Sequence, residues 1–88
     1  MDIEITDERI EVLFLGTNFG PQGHSKEGRK SLMVECVLKI ASGYKDGSTI
    51  TTICKEAGLI LKSGRVSQRA IRWAFMSIYK NGKISPLF

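Results

Sequence analysis

Apolar positions recur along most of this chain with a helical period rather than the two-residue alternation of a strand. The pattern is strongest in residues 25–42. There Met33, Cys36, Val37 and Ile40 line one face, and Leu32, Val34, Leu38 and Ala41 widen the stripe. Lys26, Arg29, Lys30, Glu35 and Lys39 are left to meet solvent. So apolar a helix is predicted to be central and packed on more than one side. Ser25 stands where an N-cap belongs, and Gly43 where a helix stops.

Three shorter patterns flank it. Residues 6–15 open with Thr6 or Asp7 as N-cap, carry acids in the first turn, and place Ile10, Leu13 and Phe14 on one face. The partial alternation in DIEI and RIEVLFL also suits a β-hairpin, but the helical spacing is the better match. Residues 48–58 follow the Asp46-Gly47 turn, with Ser48 or Thr49 as cap and Ile50, Ile53, Cys54 and Ala57 as the inner face. Residues 66–80 put Ile71, Ala74, Phe75 and Ile78 inward with Ala70, and Gln68, Arg69, Arg72 and Met76 on the opposite side. Trp73 and Tyr79 border the two faces, and Asn81-Gly82 supplies the stop. The expected fold is therefore all-α: one compact domain, residues 1–88, with four helices at about 6–15, 25–42, 48–58 and 66–80. Ile84, Leu87 and Phe88 are expected to tuck back onto the body.

Residues 16–24 read as a loop, because Gly16, Gly20, Pro21 and Gly23 interrupt any periodicity. A phosphate-binding loop needs GxxxxGK[ST] after a strand, and this segment lacks that spacing. His24 is expected to be an exposed polar residue of the loop.

Composition narrows the function. Eighty-eight residues with 42% hydrophobic content fill a modest core but leave little room for a deep substrate cleft. Cys36 and Cys54 lie in apolar helical runs outside any CxxC pair, and His24 is the single histidine. A four-ligand zinc site from Cys and His is thus excluded within one chain, and two reduced, buried thiols are expected. The carboxylates of residues 27–56 are spread out, with no pair at a helical i+3 or i+4 spacing. No enzyme, cofactor or metal site is expected. The acidic start after Met1 does not resemble a secretory leader, and no apolar run approaches a membrane span, so a cytoplasmic location follows.

The charge distribution says more. Residues 1–11 hold five acids against Arg9, a net of −4, whereas residues 12–88 carry a net of +8. From Ala57 onward Lys62, Arg65, Arg69, Arg72, Lys80 and Lys83 stand without a single acid. Surfaces of one sign attract polyanions from a distance. Residues 2–11 are predicted to pack near this basic stripe and partly mask it.

Two helices joined by a turn, the second with a basic outer face, suit the DNA major groove, which admits a helix about 10–12 Å across. The segment VSQRAIRWAF at Val66–Phe75, continuing through Ile78 to Asn81-Gly82-Lys83-Ile84, resembles the recognition helix of winged helix-turn-helix regulators of the GntR type. TITTICKEAGL at Thr49–Leu59 is similar to the preceding helix of that motif, so the resemblance spans residues 49–84. It implies a helix-turn-helix-like tri-helical core. Ser67, Gln68 and Arg69 would face the groove, Arg72 would reach phosphate or the groove wall, and Ile71, Ala74 and Phe75 would be core. The chain departs from the family in the longer Ile60–Arg65 connection, and the six residues after Gly82 leave the wing absent. As a whole the chain resembles small accessory proteins of enteric phages and prophages. The expected partner is double-stranded DNA, bound by Lys62, Arg65, Ser67, Gln68, Arg69, Arg72 and Lys80, with a homodimer reading two half-sites. The alternative is an interaction module or inhibitor that docks an acidic host protein through the same helix, with Trp73, Met76 and Tyr79 as anchors.

Overall fold

The computed structural model describes residues 3–80, apart from the side chain of Lys80. Its helices are α1 (Asp7–Leu13), α2 (Lys26–Ala41), α3 (Ser48–Glu56) and α4 (Gln68–Lys80), with a short 3-10 helix at Gly20–His24. Among the described residues the only β-type pairing is an isolated antiparallel bridge between Ile60 and Val66. The all-α reading with four helices is the architecture seen. The expected stop at Asn81-Gly82, the absence of a wing and the return of Ile84, Leu87 and Phe88 lie outside the described residues.

Local chemistry explains the helix ends. The Thr6 hydroxyl accepts from the Arg9 backbone N–H at 3.1 Å to cap α1, and the Ser25 hydroxyl accepts from Gly28 N–H at 2.9 Å to cap α2. The helical alternative for residues 6–15 prevails because Ile10, Leu13 and Phe14 form one buried stripe. α3 begins at Ser48 without the expected hydroxyl cap. Gly47 occupies the N-cap, and the Thr51 and Thr52 hydroxyls instead donate back to the Gly47 and Ser48 carbonyls. At its other end Gly58 takes φ +83, which lets Gly58 N–H reach Lys55 O and Leu59 N–H reach Cys54 O. This is a Schellman closure, and it swings Leu59 into the core, where it is fully buried.

The loop expected at residues 16–24 contains structure that a scan for breakers overlooks. Pro21 fixes the backbone near the start of the 3-10 helix, and the Arg29 guanidinium Nε donates to Gly23 O at 2.9 Å. The turn approaches α2 so closely that a Cβ on Gly28 would collide with the Gln22 carbonyl oxygen. Phe14 and Phe19 close the other side edge to face, with ring centroids 5.5 Å apart.

α2 is the hub. It packs against α1, α3, α4 and the 3-10 helix, whereas α3 and α4 lean on α2 far more than on each other. Met33, Cys36 and Val37 at its centre are inaccessible to solvent, as a helix apolar on several sides should be. The face α4 turns inward differs from the one expected. Ala70, Trp73, Ala74 and Ser77 are buried, while Phe75 is 46% exposed and Ile71 and Ile78 are only partly covered. Small residues at 70, 74 and 77 let the two helix backbones approach, and the Trp73 indole fills the space beside them. The Ser77 hydroxyl escapes the cost of burial by donating to Trp73 O at 2.8 Å.

Candidate nucleic-acid interface

Residues 57–67, which carry the chain from α3 to α4, form an ordered connection. Leu61 N–H donates to Arg65 O at 2.9 Å and Gly64 N–H to Leu61 O at 2.8 Å, closing a turn that holds Lys62 and Arg65 out in solvent. The Ile60–Val66 bridge ties the base of this turn, and buried Ile60 anchors it to the core. α4 starts two residues later than expected because Val66 is spent on that bridge. Ser67 then serves as cap, its hydroxyl accepting from Ala70 N–H at 3.2 Å. That use is structural and competes with the groove contact implied by the resemblance.

Gln68, Arg69 and Arg72 are exposed on the outer face of α4. At 100° per residue Met76 and Tyr79 continue the same face, with Phe75 at its edge, 49%, 64% and 46% exposed respectively. The face is thus cationic in its first half and aromatic or thioether in its second. The structure adds a cation that sequence reading left on the solvent side of α2. Lys30, Arg69 and Arg72 line one cleft, together with Ile3, Glu4, Ile5 and Thr6 of the N-terminal segment. Helical period within one element could not show this, since it arises from the crossing of α2 and α4. Residues 3–6 do lie beside the basic stripe as predicted, while α1 itself packs on α2. Lys62 and Arg65 are not drawn into that cleft. Their turn faces another recess through Gly64, lined by Lys45, Asp46 and Lys55. The Lys80 side chain lies outside the described part.

The remaining charges are used differently. Lys26 pairs with Asp7 at 3.8 Å, and Lys39 bridges Glu35 at 2.9 Å and Asp46 at 3.8 Å. The Arg9 guanidinium donates to Glu56 O at 3.2 Å, a cation at the C-terminal end of α3. Lys30, Lys62, Arg65 and Arg69 make no ion pair within 4.0 Å among the described residues.

Cys36 and Cys54 are buried, free, and adjacent across the α2–α3 contact, a proximity invisible in a sequence that places them on two successive helices. The Cys54 thiol approaches Met33 O at 3.8 Å and the Cys36 sulfur lies 3.9 Å from the Thr51 hydroxyl. The hydrogen bond between the two thiols raises the Cys54 pKa, with burial adding to the rise, and lowers that of Cys36.

No described helix is long and apolar enough to cross a membrane. Compared with protein-family models, curated protein sequences and solved structures, the chain shows no significant match.

Proposed function

We propose that this chain is a small cytoplasmic DNA-binding protein, a regulator of the phage type, that lays the outer face of α4 on double-stranded DNA. The observation that carries the reading is the contrast in charge use. The acids that form ion pairs are matched to Lys26 and Lys39, whereas Lys62, Arg65 and Arg69 project into solvent without an acidic partner among the described residues. Cations left in this way release counterions from a polyanion when they replace them on its phosphates. Gln68 and Arg69 sit in the first turn of α4, the part of a recognition helix that reaches base edges, where their side chains suit adenine and guanine. Lys62, Arg65 and Arg72 supply phosphate contacts. A second copy would read the other half-site.

A second reading draws on one observation, the exposure of Phe75, Met76 and Tyr79 on the same helix. Aromatic side chains beside arginines favour an acidic protein surface as partner. Fluorescence anisotropy with random-sequence duplex DNA at low and near-physiological salt separates the two. Under the DNA reading, binding at low salt weakens steeply as salt rises and collapses in the Arg69→Ala/Arg72→Ala double variant. Absence of binding at low salt overturns the DNA reading and leaves the acidic protein partner.

A further inference from the structure

The cleft between the N-terminal segment and α4 has a volume of ≈330 Å³, at the lower end of the size range of small-ligand sites. Its lining is of two kinds. Lys30, Arg69 and Arg72 supply cationic heads, with Glu4 the one acid among the described lining residues. Ile3, Ile5, Trp73 and Met76 supply an apolar wall. The elements come from three parts of the chain: an extended strip ahead of α1, the first half of α2, and the outer edge of α4. The Trp73 part of the apolar wall is fixed by core packing, its residue being only 7% exposed. Lys30 and Arg69 make no ion pair among the described residues.

From this juxtaposition we infer that the cleft is a binding site for a small amphipathic anion, a single carboxylate, sulfonate or phosphate head on an aromatic or branched apolar body. The anionic head sits between Lys30 and Arg69, with Arg72 at the rim. The body lies against Trp73 and Met76, whose ring and thioether accept flat or irregular apolar groups. Glu4 disfavours a second negative charge at the cleft mouth, which selects monoanions over polyanions. The inference needs no nucleic acid, but it shares Arg69 and Arg72 with the DNA reading, so a bound anion would compete with DNA for them.

The probe is 8-anilinonaphthalene-1-sulfonate, titrated into the full chain and followed by its own fluorescence and by the NMR signal of the indole N–H of Trp73, the single tryptophan. Saturable one-to-one binding that shifts the indole signal is expected. Lys30→Gln/Arg69→Gln should weaken it at least tenfold with an unchanged circular dichroism spectrum, and Lys30→Arg should retain it. Leu15→Ser, which removes an exposed apolar side chain elsewhere, should leave it unaltered. The neutral analogue N-phenyl-1-naphthylamine should bind at least tenfold more weakly. The inference is overturned by the absence of saturable binding. It is equally overturned by binding that survives the charge substitutions, by loss of binding in Leu15→Ser, or by equal affinity for the neutral analogue. If the charge variant loses its helical spectrum, the folded Lys30→Arg and Leu15→Ser proteins and the neutral analogue still decide between these outcomes.

Discussion

The two ends of α2 and the outer face of α4 use charge in opposite ways. Around α2 and its neighbours, Lys26, Lys39 and Arg9 each find an acidic side chain or a helix-end carbonyl, and they hold elements together. On α4 and the turn before it, Lys62, Arg65 and Arg69 have no such partner among the described residues and hold nothing together. Exposed ion pairs contribute little to stability, so even the first group acts mainly as local orientation. The second group costs solubility nothing and stability little, which leaves it open to selection for binding. Charge on this molecule is therefore informative where it is unmatched.

Substitutions sharpen that comparison. The largest effect belongs to the hub beneath both regions: Met33→Ala should lower the unfolding free energy by about 2–5 kcal/mol in chemical denaturation, since the side chain is fully buried. Next, Arg69→Ala/Arg72→Ala should reduce affinity for duplex DNA more than about tenfold at low salt and flatten the salt dependence by about one phosphate contact, that of Arg72. Arg69→Ala alone should denature at nearly the wild-type midpoint. A large loss of stability would erase the contrast, for it would make Arg69 structural. Ser25→Ala should do the reverse, costing about 1 kcal/mol through the lost cap of α2 with DNA affinity unchanged. The smallest effect is expected for Lys39→Gln, a denaturation midpoint scarcely changed from wild type, because Lys39 and its nearer partner Glu35 are solvent-exposed. If Lys39→Gln weakened DNA binding as strongly as the arginine pair, the distinction between the two regions would fail.

Much of this fold can be read from the order of residues. The stripe Met33–Val37, the caps Thr6 and Ser25 and the glycine stops act within a turn or two of helix, and such short-range physics is carried by the local sequence. The exposed half of α4 was legible for the same reason, since Gln68, Arg69, Arg72 and Met76 share one face by spacing alone. What spacing does not reveal is which apolar residues win the contact. Ile71 and Phe75 have the larger side chains, yet Ala70, Ala74 and Ser77 face α2, because close backbone approach in a small core rewards small residues flanking one large Trp73. The 3-10 turn, with its close pass over Gly28, likewise depends on a neighbour that local pattern cannot name.

By itself the sequence determined the helices, the hub role of α2 and the sign of charge on the last helix, because each depends on residues a few positions apart. The crossing of α2 with α4 decided the rest. It brought Lys30 to Arg69 and Arg72, buried Trp73, and left Phe75 and Tyr79 in solvent. Those outcomes are set by the angle and separation at which two helices pack, a long-range quantity that local periodicity does not carry.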